Sequence, residues 1–386
     1  MNFDVVVNRK QTGCAKWDGL KEVFGRDDVL PLWVADMDFK SCPEIIEAIV
    51  NRAEHGVFGY PHVSSKVYEP FIEWNKRRNN LDIEQKWILT CPGVVTAFNL
   101  AVHAFTKEGE GVMIQTPVYP PFHSSAKNNN RILIENQLVE NEGYYTIDFE
   151  DFEKKIRDNN VKLFILCNPH NPVGRVWTRG ELENMAEICL KYDVKIFSDE
   201  IHSDLILKGN KFNSILSLDE KYRRMAMAAM APSKTFNIAG LTASIVLIPD
   251  EDMRKAYSKA SQSMHIGMLN IFGLTALEAA YRYGEHWLKE VMNYIEGNFD
   301  YMISYIQENI PNVKCRKPEA TYLGWLDFRA IYPKQDDLND FLINKAKVGL
   351  NSGLTFGKPG EGFARINVGC SRAILEEALN RIKAAL

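Results

Sequence analysis

Six short apolar runs, separated by stretches of helical periodicity, limit what this chain can become more than any other feature. They lie at 87–90, 112–115, 162–166, 195–197, 225–230 and 244–248. Short apolar runs of this kind suit strands covered on both faces, and such strands belong to parallel sheets. Helical patterns fill the gaps. Phe98, Ala101, Val102 and Phe105 recur at helical spacing after a start near Val94, and Thr178 with Glu181 forms a capping box for a helix over 182–191. Strands alternating with helices imply βαβ units and a mostly parallel α/β sheet. Residues 131–145 are more polar and read as a hairpin-like region.

At 386 residues the chain exceeds what one small core can organise, and its flanks differ from its middle. Pro43 opens a helix with Ile45, Ile46 and Ile49 on one face, Gly56 stops it, and Phe58-Gly59-Tyr60-Pro61 follows as a loop with an exposed aromatic. A long amphipathic helix over 284–310, carrying Trp287, Val291, Tyr294 and Ile295, closes at Pro311. Beyond it come strands near Val313-Lys314 and over 322–328, a helix over 337–346, a loop at 353–362, a strand over 363–368 and a terminal helix. The expected division is a large domain over 46–284 and a smaller α+β domain built from 1–45 and 285–386.

Charge and cysteine usage exclude several classes of function. The net charge is -4 and no basic arm occurs, so neither nucleic acid nor an anionic membrane is an expected partner. Seven cysteines without CxxC spacing fit a reducing cytoplasm and supply neither a disulfide framework nor a metal site. No apolar stretch approaches the roughly 18 residues of a membrane span. Met1-Asn2-Phe3-Asp4 puts an acid where a secretory signal carries positive charge.

The unusual residues follow the apolar runs. Lys234 comes directly after one, within Ala231-Pro232-Ser233-Lys234-Thr235. Desolvation lowers an amine's pKa, and a partly neutral lysine can form a Schiff base with a carbonyl. Open α/β sheets bind ligands outside the carboxyl ends of their strands. There stand Asp199, Asn171 within Asn168-Pro169-His170-Asn171-Pro172-Val173-Gly174, Tyr119, and a helix start at Gly93-Val94-Val95 whose N–H groups favour a phosphate. Singly, each has an ordinary reading as turn, cap, packing or a lysine reaching the sheet edge. Together they call for a carbonyl at Lys234, a basic ring nitrogen at Asp199, a flat face at Tyr119, a phenolic oxygen at Asn171 and a phosphate at the helix start. Pyridoxal 5'-phosphate carries all five.

Asn171-Pro172-Val173-Gly174, Asp199, Ser233-Lys234 and Arg365 resemble, in order and spacing, the fold-type I pyridoxal-phosphate enzymes of the class I/II aminotransferase superfamily. Lys16-Trp17-Asp18, Trp33-Val34-Ala35-Asp36-Met37-Asp38-Phe39, Ser198-Asp199-Glu200-Ile201-His202 and the run from Pro232 to Leu241 resemble its MalY/PatB-like cystathionine β-lyase (C–S lyase) branch. The resemblance covers nearly the whole chain. It implies the transferase fold of that superfamily, a seven-stranded sheet sandwiched by helices plus a smaller domain. It also implies roles. Lys234 would hold the cofactor and later move the Cα proton, Asp199 would pair with the ring nitrogen, Asn171 would bond the ring O3' and Tyr119 would stack on the ring. Val94, Val95 and Ser233 would hold the phosphate, with Tyr60 reaching it from the second subunit of a homodimer, and Arg365 would clamp the substrate α-carboxylate. Two positions depart from the wider pattern: His202 where a tyrosine is common, and Thr242 in place of an arginine. His202 can still donate to O3'.

The implied activity is α,β-elimination on cystathionine or a related S-substituted L-cysteine, giving a thiol, pyruvate and ammonia. Two rival readings use the same residues or the same fold: an aminotransferase, and a regulatory binding protein.

Overall fold

The expected strands meet in one sheet, joined by a seventh. The computed structural model describes residues 1–386. In chain order the strands are β1 (Ile88–Cys91), β2 (Gly111–Thr116), β3 (Ile132–Gln137), β4 (Val161–Cys167), β5 (Lys195–Asp199), β6 (Ala226–Met230) and β7 (Ser244–Leu247). They lie side by side as β1-β7-β6-β5-β4-β2-β3. β7 runs antiparallel to both its neighbours, and every other pairing is parallel.

Alternate residues of these strands enter two separate cores, one on each face. Val112 and Ile114, Leu163 and Ile165, and Met227 and Ala229 join one. Met113, Phe164 and Leu166, and Ala226, Ala228 and Met230 join the other. Both faces are dry, so the runs read as continuously apolar.

The region expected to be a hairpin is divided. Its first part is β3, an edge strand pairing Ile132 to Gln137 with β2. Of the polar residues that obscured it, Glu135 and Gln137 are partly or fully exposed, while buried Asn136 accepts from Gln115 Nε2 at 3.1 Å and donates to Asp151 at 2.9 Å. The hairpin itself is only Val139–Asn141 against Tyr144–Thr146.

Helix Val94–Phe105 starts where expected, with Phe98, Ala101 and Val102 buried and Phe105 half-buried. The capping box forms: Thr178 Oγ1 accepts from the Glu181 N–H at 3.2 Å, and the Glu181 carboxylate accepts from the Thr178 N–H at 2.8 Å. On helix Pro43–Glu54, Ile45 is buried and Ile49 half-buried, but Ile46 is 42% exposed. Ile45 and Ile46 diverge by about 100° around the axis, so the packing that buries the first leaves the second exposed.

The long helix Glu285–Asn309 ends before Pro311 and leads to a three-stranded antiparallel sheet, Leu323–Asp327, Phe363–Asn367 and Asn351–Ser352. The strand expected near Val313-Lys314 reduces to a single bridge between Lys314 and Asp327. The helix expected over 337–346 begins earlier, at Gln335, and widens over Phe341–Lys345. Leu30–Pro31 pairs parallel with Val348–Gly349, so the start of the chain joins its last hundred residues. No helix is long and apolar enough to cross a membrane.

Candidate active site

Sheet register and the segments that follow the strands gather most of the singled-out residues. Cys167 and Asp199 are paired across β4 and β5, and Asp199 lies opposite Ala229 on β6. Two further residues past β6, the chain turns into the short helix Pro232–Thr235, which carries Lys234. The Tyr119 N–H donates to the Asn171 carbonyl at 3.1 Å, tying the loop after β2 to the loop after β4. The result is a cavity of about 180 Å³ whose wall includes Val94, Val95, Tyr119, Asn171, Asp199, His202, Ser233 and Lys234.

Burial sets the charges here. Asp199 accepts one side-chain hydrogen bond, from the Ile201 N–H at 3.1 Å, and desolvation raises its carboxyl to about 7 against that bond and the opposing Lys234 charge. Desolvation also pulls the Lys234 ammonium down to about 8, helped by the Arg365 charge. His202 falls to about 3, through burial first and then the charges of Lys234 and Arg365, so its ring is neutral near pH 7. Burial draws Arg365 down to about 10, which leaves it a cation at neutral pH.

A consequence for stability follows from Asp199. Its folded value lies above the ordinary 3.8, so between about pH 4 and 7 the folded chain binds the extra proton and its stability falls as pH rises. Asp199→Asn keeps the acceptor and removes the charge. The cofactor-free variant is expected to be more stable than the parent at pH 8, by at most about 4 kcal/mol, and to lose that advantage toward pH 4. Denaturant titration at the two pH values measures it, and an equal or smaller midpoint for the variant at pH 8 would contradict the burial argument.

The polar groups suit a phosphorylated aldehyde with a basic ring. Gly93 opens helix Val94–Phe105 with no side-chain cap, and the place a Cβ would take there is open space. The first-turn N–H groups of that helix therefore face the cavity end without intrahelical partners. Buried Nδ1 of His202 and Nε of Arg365 have no partner within the chain. A buried carboxylate and a lysine in the wall of one cavity match a ring nitrogen and an aldehyde.

Arg365 stands just behind the cavity wall. It donates to Asn171 Oδ1 at 3.0 Å, to Asn351 Oδ1 at 2.6 Å and to the Trp33 carbonyl at 2.9 Å. The last bond belongs to a strap formed by residues 33–36. The Val34 and Asp36 carbonyls both accept from Asn367 Nδ2 at 2.6 Å. The Ala35 carbonyl accepts from Lys234 Nζ at 2.7 Å and from the Tyr322 hydroxyl at 2.8 Å. Beneath the strap, Asp38 pairs with the buried Lys16 at 2.7 Å and with Arg9 at 2.6 Å, while Arg9 also grips Asp36 at 2.6 Å. Trp17 Nε1 donates to Asp38 at 3.1 Å, and Asp18 caps the backbone N–H groups of Gln11, Thr12 and Cys14. The Lys16-Trp17-Asp18 and Trp33 to Phe39 motifs thus form the strap and its anchor.

A model of the family described as aminotransferase class I and II matches residues 27–382. The chain belongs to this family. Among its relatives, cystathionine beta-lyase PatB of Bacillus subtilis (strain 168) is 46% identical over 386 residues, 100% of each chain. A PLP-bound crystal structure from Clostridium difficile 630 superposes with a TM-score of 0.97 at 48% identity, covering 100% of this chain and 99% of that one. Cystalysin from Treponema denticola, whose crystal structure contains pyridoxal 5'-phosphate, superposes with a TM-score of 0.96 at 38% identity, covering 100% of this chain and 98% of that one.

In this aminotransferase-family chain the singled-out residues gather with two exceptions. Arg365 meets the cavity through Asn171, and Tyr60 does not meet it at all: it is 92% exposed on the loop after helix Pro43–Glu54. Sequence reasoning missed the Ala35 carbonyl, Tyr322 and Cys167. A backbone carbonyl leaves no letter in a sequence, and Tyr322 sits at the head of an apolar strand where it passes for core.

Proposed function

We propose that this protein is a pyridoxal-phosphate-dependent C–S lyase acting by α,β-elimination on cystathionine, cystine or a related S-substituted L-cysteine. The observation that carries the reading is Lys234 and Asp199 in the wall of one cavity with an uncapped helix start. The full-length similarity to a cystathionine beta-lyase supports it. Bound pyridoxal phosphate supplies an aldehyde that takes up the substrate's amino group and a ring that accepts the electron pair of the broken Cα–H bond.

The chain's own residues do the rest. Lys234, depressed to about 8, is a base near neutral pH and would take the Cα proton. Asp199 would keep a proton on the ring nitrogen. Asn171 and neutral His202 would bond the ring oxygen, and Tyr119 would lie against the ring face. Ser233 and the Val94 and Val95 N–H groups would hold the phosphate; Thr242, which also lines the cavity, adds no charge to it. Arg365 would take the α-carboxylate in two parallel bonds, setting which Cα bond stands across the ring. Loss of the Cα proton then expels the Cβ thiolate, and water completes pyruvate and ammonia.

Arg365→Ala is expected to raise KM by about 30-fold or more, the equivalent of a lost buried charge contact. An unchanged KM in steady-state kinetics would place the carboxylate elsewhere. Incubation with L-cystathionine and L-cystine tests the whole reading: pyruvate and free thiol are expected. Amino transfer to 2-oxoglutarate without thiol release would replace the lyase by an aminotransferase.

We also infer a homodimer. Val57, Phe58 and Tyr60 are 62%, 59% and 92% exposed on one loop, a costly display for a lone chain and a natural reach into a partner's phosphate site. Seven free cysteines fit a cytoplasmic setting. The pairing of Leu30–Pro31 with Val348–Gly349 supports a large domain over 46–284 and a smaller one from 1–45 and 285–386.

A further inference from the structure

Lys234 has a neighbour whose side chain serves a different purpose. Thr235 is fully buried, and its hydroxyl donates to Asp204 Oδ2 at 3.1 Å. The other oxygen of Asp204 accepts from Trp74 Nε1 at 2.8 Å. Arg78 approaches that same oxygen to 3.7 Å and lies over the Trp74 ring at 4.9 Å. Both oxygens of a buried carboxylate are thereby engaged, and a cation offsets its charge.

Asp204 belongs to the segment that leaves β5. That segment carries Asp199 and His202, and turns tightly, with the Ser203 N–H donating to the Glu200 carbonyl and the Leu205 N–H to the His202 carbonyl, each at 3.0 Å. One carboxylate therefore ties the segment bearing Asp199 and His202 to the helix bearing Lys234. Two residues beyond Thr235, Asn237 is bonded to the backbone of Met37 and Phe39 through three hydrogen bonds of 2.8–2.9 Å. The Lys234 side chain has the Ala35 carbonyl as its hydrogen-bond partner. Its placement thus depends on how firmly Thr235 and Asn237 hold the backbone that follows it.

We propose that Asp204 and Thr235 are positioning residues that fix Lys234 relative to Asp199, the two groups addressing opposite ends of the cofactor. The proposal rests on the pyridoxal-phosphate lyase reading. Rate responds steeply to such placement, since a shift of about 1 Å can cost 100-fold. Packing alone would not require a hydroxyl here: valine has nearly the same shape, but it would leave Asp204 Oδ2 without a donor, and the backbone would move to find one.

The test uses the holoenzyme carrying Thr235→Val, Thr235→Ser or Asp204→Asn. Thr235→Val is expected to keep its bound cofactor, seen as visible absorption, and to lose about 10- to 100-fold in kcat. KM for an S-substituted cysteine should stay within about threefold, because Arg365 is untouched. Thr235→Ser, which restores the donor, should recover kcat to within about threefold of the parent. Asp204→Asn should lose kcat in the same pattern as Thr235→Val. A Thr235→Val holoenzyme with parental kcat, or a Thr235→Ser variant as impaired as Thr235→Val, would overturn the proposal while leaving the lyase reading intact. A parent protein that takes up no cofactor, or that binds it and releases no thiol, would overturn the reading and the proposal with it.

Discussion

Lys234→Ala is expected to abolish turnover, by at least about 10⁴-fold, and to remove the visible absorption of lysine-linked cofactor. Two losses combine at this position. The chain loses its one amine in the cavity able to hold an aldehyde, and it loses a base whose value, about 8, suits proton transfer near neutral pH. General acid–base catalysis alone is worth about 10²–10⁴-fold. Tyr119 cannot substitute, since burial pushes its hydroxyl above the ordinary 10, and His202, at about 3, is too weak a base near neutral pH. Hydride reduction of the parent holoenzyme should leave a stable label on Lys234 and none on the variant. Retained thiol release from S-substituted cysteines by Lys234→Ala would sink the assignment.

Asp199→Ala is the second large effect. In the proposed role Asp199 keeps a proton on the ring nitrogen, and the carboxyl is buried. Breaking a buried charged pair costs about 3–5 kcal/mol, so kcat should fall about 10²–10⁴-fold. KM for the amino acid should change little, because Arg365 and Asn171 are retained. Asp199 rests at about 7 in the chain alone because burial penalises its charge; a cationic ring would pull it down again. The same desolvation that costs stability without the cofactor therefore strengthens the pairing with it. Near-normal kcat in the variant would remove Asp199 from this role.

The sequence made the sheet legible because its strands are dry on both faces, and the apolar runs ended where the polar residues began. The site was legible for a related reason: Lys234, Asp199, Asn171 and Tyr119 each stand at or within a few residues of the end of a run, so they come to the carboxyl ends of the strands of one sheet. β3 was obscured because an edge strand tolerates polar residues, and Ile46 was misplaced because helical periodicity cannot say how wide a contact is. The strap eluded the sequence more thoroughly. Its partners are up to 333 residues away, and its acceptors are main-chain carbonyls that any residue carries.

That strap bears on how the protein can be cut. A chain trimmed to begin after residue 40 would leave the side chains of Asn367 and Tyr322 without the carbonyls they now donate to, Arg365 without one of its three acceptors, and Asn237 without its backbone partners. Such a truncate should expose the cavity to solvent and to protease, although every residue of the seven-stranded sheet would still be present. The first forty residues are wall, not fringe.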